Sequence, residues 1–274
     1  MLASVGLVGA LGIGAAGLAT NAAARPSHGK HGPVAVVATP VTTATFSFSV
    51  SVSGLVKNAG AITLTGTGQA DFANDAVSLA INIPAAVAEL IPGGSAAPEV
   101  VNVVFSGGTV YANVPALATL VGEPWISVAL PSSATAAVPG IFNDVASALG
   151  NVNEILSFAK AHHAKVTSLG TSMVDGTSVT GSQVSAHLKG VRVSATLWAD
   201  SSNHLVQAIV GATGTARRGL ALAATVDLSG YGNPVTITVP PPSQVKAIPL
   251  SLVTSVLGRF LHGAHLGAKL AKVI

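Results

Sequence analysis

Residues 45–53 set Phe46, Phe48, Val50 and Val52 apart with Ser47, Ser49 and Ser51. Successive strand residues point to opposite faces, so this alternation predicts a strand with one apolar side and one side of small hydroxyls. Residues 61–69 continue in kind with Ile62 and Leu64. Val77, Leu79, Ile81 and Ile83 alternate until Pro84, and a short apolar run at 85–91 predicts a helix ending before Pro92-Gly93-Gly94. Val101, Val103 and Phe105 then lead into Gly107-Gly108 and a second run at 110–114. A glycine pair between alternating runs predicts a two-residue hairpin. Residues 125–130, bracketed by Pro124 and Pro131, predict another strand.

The period changes in the middle of the chain. From 139 to 163, Val145, Leu149, Val152, Leu156 and Ala159 recur at three and four residues. This predicts one or two helices, capped by Asn143-Asp144 and broken at Gly150. Strand patterns return at 165–170, 178–188, 191–200, 204–212, 220–228 and 235–239. Ser201-Ser202-Asn203 supplies a turn, and Pro240-Pro241-Pro242 is expected to end the domain. Ten to twelve strands joined by short turns imply an antiparallel sheet, and large antiparallel sheets curl. The expected fold is α+β: a strongly curved antiparallel sheet, a half-barrel, wrapped on central helices. The domain is expected to span 42–243, after a flexible lead-in at 25–41.

Composition narrows the partners. Only 8% of residues are charged while 49% are hydrophobic, which suits greasy partners. Four of the 13 basic residues and none of the 10 acidic ones follow Asp227, leaving 9 against 10 in the body. No basic surface for nucleic acid is expected on the folded part. There is no cysteine, which excludes disulfides, Cys-ligated zinc and a thioether lipid anchor.

The two ends read differently from the body. Residues 2–20 are small and apolar, and Ala22-Ala23-Ala24 follow, so 1–24 reads as a secretory signal cleaved near Ala24. The competing reading is an uncleaved membrane anchor. At helical spacing, residues 244–274 place Val253, Val256, Leu257 and Phe260 on one side and Arg259, Lys269 and Lys272 on the other. This predicts a basic amphipathic helix. Such a helix either docks on the domain or, through Arg259, Phe260, Lys269 and Lys272, lies on an anionic membrane surface. Each cation there gains about 1 kcal/mol. Liposome binding lost in a form ending at Pro242 would select the second reading.

Chemistry-bearing motifs are sparse. Neither a Gly-x-Ser-x-Gly elbow nor a phosphate-binding loop with Gly-Lys-Ser/Thr occurs. His162 and His163 are adjacent, so on a helix they diverge by about 100°. His262 and His265 have no carboxylate near them in the tail, and His28 and His31 fall in the lead-in. The carboxylates Asp71, Asp75, Asp175, Asp200 and Asp227 fall at turns or strand ends. No catalytic residue, metal or cofactor is expected.

Four stretches resemble one family. They are Val-Val-Phe-Ser-Gly-Gly-Thr-Val-Tyr-Ala-Asn-Val at 103–114 followed by Trp125, and Val-Asp-Gly-Thr-Ser-Val-Thr-Gly from Val174. Leu-Trp-Ala-Asp-Ser-Ser-Asn-His-Leu-Val follows from Leu197, and the strand ending in three prolines from Leu228. In order and spacing, over roughly 42–243, these resemble the actinobacterial lipid-carrier lipoproteins of the LppX/LprA/LprF/LprG type. The resemblance implies a LolA-like fold, a cavity for acyl chains of a glycolipid or apolar cell-envelope lipid, and an envelope transporter as a partner. The chain departs from that family in lacking the anchoring Cys and in extending past the closing strand. An exported form without covalent lipid is therefore expected.

A carrier needs an apolar cavity and few polar groups. The expected lining is Phe46, Phe48, Val50, Val52, Leu79, Ile81, Val103 and Phe105, among small residues that leave volume. Two rival readings stand beside it. One is an envelope module that binds another protein; the other is a hydrolase acting on lipids.

Overall fold

A computed structural model describes residues 41–54, 61–88, 97–188, 190–214 and 221–252. Twelve strands form one sheet: β1 (Thr43–Ser53), β2 (Ile62–Asp71), β3 (Ala76–Ile83), β4 (Glu99–Ser106), β5 (Thr109–Asn113), β6 (Trp125–Ala129), β7 (Lys165–Val174), β8 (Thr177–Leu188), β9 (Val191–Ala199), β10 (Leu205–Gly214), β11 (Ala221–Ser229) and β12 (Val245–Ala247). Among the described residues, α1 (Ala85–Ala88), α2 (Pro115–Val121), α3 (Ser132–Gly150) and α4 (Val152–Ala161) accompany them. The spatial order is β12-β6-β5-β4-β3-β2-β1-β11-β10-β9-β8-β7. Neighbours pair antiparallel except β12, which runs parallel to β6. The sheet is unclosed, with β12 at one edge and β7 at the other.

The sheet is strongly curved. Laid flat, β3 and β9 would lie about 24 Å apart at the usual strand spacing, yet Ile81 and Leu197 join one buried cluster. The α+β half-barrel is thus what the alternating runs form.

Each face follows from the pleat. The row Phe48, Gly66, Ile81, Val101 runs across β1 to β4, and the same row continues from Phe48 to Val226, Ala208 and Leu197. Phe48, Ile81, Val226, Ala208 and Leu197 of this row meet Ala146 and Leu149 of α3 and Val152 of α4 in one buried cluster. The intervening positions form a second face rich in Ser and Thr. Gly66 sits where β1 needs room: a Cβ there would lie 2.6 Å from the Phe48 ring. Gly68 answers Phe46 in the same way.

Three expectations need correction. The helical block starts at Ser132, so Asn143-Asp144 lie inside α3 and do not cap it. Pro139 is also interior. The break after Gly150 stands, and there Asn151 caps α4 through its side chain and the Asn153 amide, 3.2 Å apart. The run 235–239 is not a strand. Instead the sheet takes up Val245–Ala247 after the three prolines, and residues 250–252 are helical.

The leader, residues 25–40 of the lead-in, and Arg259, Phe260, Lys269 and Lys272 of the tail lie outside the described residues. Among the described residues no helix is long and apolar enough to cross a membrane.

Candidate functional site

Burial on the helix-facing side fades along the strands. The row through Phe48 is closed: Phe48, Ile81, Val226, Ala208 and Leu197 are all buried. Two residues further along β1, Val50 stands opposite Leu64 and Ala224, and that row continues through Val210, Ala195 and Val184. Two further still, Val52 stands opposite Ile62 and Leu222, and the row runs on to Ala212, Val193 and Ala186. Apart from Ala224, the residues of these two rows are only half-buried. They lie toward the strand ends that lead to residues 55–60, 189 and 215–220.

The reason is the reach of the helices. The buried helix residues Ala146, Leu149 and Val152 cluster around the junction of α3 and α4. The Val152 amide donates to the Asn203 carbonyl at 3.1 Å, which pins that junction to the β9–β10 turn. The helices therefore close the sheet at the turn end. The other end is left as a trough of Val, Leu, Ile and Ala side chains.

The eight expected lining residues divide between these zones. Phe48 and Ile81 belong to the closed cluster. Phe46, Val50, Leu79 and Val103 are half-buried and packed against it. Val52 lies in the outermost row of the trough. Phe105 stacks on Phe142 of α3, with ring centroids 5.8 Å apart. The pattern of β1 alone did not reveal Leu64, Val193, Val210 and Leu222, which share the trough. Only the strand order brings them beside Val50 and Val52.

The closed end also holds Tyr231, half-buried against the core cluster. The Tyr231 hydroxyl donates to the Leu205 carbonyl. Burial, and secondarily the Asp200 carboxylate, push its pKa above the ordinary tyrosine value. Asp200 accepts from the amides of Ser202 and His204 at 2.8 and 2.9 Å, and the His204 ring lies 5.1 Å from that of Tyr231. These contacts hold the β9–β10 turn. Among the described residues no group of three His, Asp or Glu side chains is placed to hold a metal ion.

No protein-family model matches the chain, and no curated protein matches it. Among solved structures the chain is similar to the lipoprotein LppX of Mycobacterium tuberculosis, at 16% identity over 72% of this chain and 90% of that one, with a TM-score of 0.39. It is also similar to a LolA-superfamily protein of Nitrosomonas europaea, at 8% identity over 76% and 91% of the two chains, with a TM-score of 0.28. LppX is of the type that the four sequence stretches resemble.

Proposed function

We propose that this protein carries lipid. It holds acyl chains of a glycolipid or another apolar cell-envelope lipid against the helix-facing side of its sheet, and it acts as an exported protein without a covalent lipid anchor. One observation carries the reading: two adjacent rows of aliphatic side chains, through Val50 and Val52, stay half-buried beside the closed row through Phe48. Contiguous apolar surface of this kind marks a binding site in a folded protein. Each methylene taken out of water there contributes about 0.8 kcal/mol, so part of one acyl chain suffices for useful affinity. The lining is aliphatic, which gives the site a holding role and no covalent chemistry.

Native mass spectrometry of the protein purified from its own source tests this. The expected result is a population heavier than the bare chain by the mass of a lipid, released on denaturation. Protein that is lipid-free from that source, and that gains none on incubation with lipid vesicles, overturns the reading and leaves the protein-binding module as its successor.

A further inference from the structure

The opposite face of the sheet has a second hollow of contrary chemistry. It is an open groove of about 710 Å³ that crosses the strands. One wall carries Thr45, Gln69, Ser78 and Val104, which stand opposite one another in register; the other carries Ser47, Thr67, Ala80 and Asn102. Between the walls lie Phe46, Gly68, Leu79 and Val103, whose side-chain positions belong to the helix-facing side. From β11 to β4 the groove covers five strands, about 19 Å at the usual spacing. Trp125 of β6 and Asp175 of the β7–β8 turn also line it.

The lining selects a ligand class. No Lys or Arg is among the lining residues, so nothing there balances a phosphate, a carboxylate or a nucleic acid backbone. Asp227 is held in place, accepting from Gln207 Nε2 at 2.7 Å and from Ser47 Oγ at 3.4 Å. Thr45 and Ser229 share a hydroxyl hydrogen bond of 3.0 Å. Hydroxyls, amides and a fixed carboxylate offer mixed donors and acceptors to a ligand rich in hydroxyls. Trp125 adds a flat apolar ring with a polar edge. An acyl chain would leave these polar walls without water. A peptide adding as a strand would need an unpaired sheet edge, and the strands flooring this groove are paired on both sides.

We infer that the groove binds an extended, uncharged glycan, with Trp125 under one sugar ring and Gln69, Asn102 and Asp227 on its hydroxyls. The site is separate from the lipid trough, on the other face of the sheet, and its test does not depend on lipid loading.

The full chain is titrated with cellohexaose, maltohexaose and an α-1,6-mannohexaose, with an oligogalacturonate as the anionic comparison, while amide and indole NMR signals are followed. At least one neutral chain is expected to shift the side-chain amides of Gln69 and Asn102 and the Trp125 indole. Trp125→Ala is expected to weaken that binding about tenfold or more, the range of a buried aromatic anchor. Asn102→Ala should weaken it about threefold, as the loss of one hydrogen bond of about 1 kcal/mol implies. If Trp125→Ala alters the spectrum as a whole, Asn102→Ala and Gln69→Ala carry the test. The inference is overturned if no neutral chain moves these signals, if the shifts map elsewhere, if the anionic chain binds more tightly, or if the well-folded variants bind like wild type.

Discussion

The two halves of β1 share one pattern and different fates. Phe46 and Phe48 alternate with serine as Val50 and Val52 do, and all four point to the helix-facing side. Phe48 is only 5% exposed and belongs to the closed cluster, whereas Val52 is half-buried in a row that the helices do not close. The alternation decides which face a side chain takes. What lies over that face decides whether it becomes core or binding surface, and here that is set by where the α3–α4 junction docks. One strand therefore supplies both the stability of the domain and the candidate site.

The largest break in this comparison comes from the closed half. Phe48→Ala removes a buried ring and uncovers Gly66, which has no side chain to fill the space. Core Phe-to-Ala changes cost about 3–5 kcal/mol, so the denaturation midpoint should fall steeply or the domain should fail to fold. Phe48→Trp should also destabilise, by about 1–3 kcal/mol, since the added ring has to enter a packed cluster. Chemical denaturation of both variants checks this. A Phe48→Trp protein as stable as wild type would mean that free volume extends down to this row and that the closed half is not closed.

Much of this architecture is legible in the sequence, and the failures have particular causes. The Gly107-Gly108 hairpin is read from its letters because both residues need positive φ, 57° and 73°. The β3 strand ends before Pro84 for an equally local reason. The start of α3 is hidden because Pro131 stands before it without a side-chain cap, and because Pro139, usually a stop signal, sits in its interior. Residues 235–239 alternate as a strand should. A ladder also needs a free neighbour, however, and β1 is already paired on both sides by β2 and β11. The three-residue β12 has too little pattern to be seen before its partner β6 is known. For the site, Val50 and Val52 are readable as apolar positions of a strand. Their union with Leu222, Val210 and Val193 is a matter of long-range register, as is the groove that joins Gln69 to Asn102.

A smaller effect is expected at the turn end, where the closed half is sealed. Tyr231→Phe keeps the ring beside His204 and leaves the Leu205 carbonyl without its hydroxyl donor. Losing one such bond costs about 1 kcal/mol. Thermal denaturation should show a modest decrease in midpoint with lipid content unchanged. An unchanged midpoint would show that water replaces the hydroxyl and that this end is more open than the burial of Tyr231 implies.

The smallest effect on stability is expected at Val52, and there the comparison is at its sharpest. Val52→Trp adds bulk in the outermost trough row, where neighbours are half-buried and room remains, so stability should stay within about 0.5 kcal/mol of wild type, as for changes outside a packed core. Lipid content read by native mass spectrometry should nevertheless fall, because the indole occupies volume that acyl carbon would use. Placed against Phe48→Trp, this reverses the order of effects: the inner position moves stability, the outer one moves loading. Full lipid loading in a stable Val52→Trp protein would place the lipid away from this end of the strands and remove the trough from the mechanism.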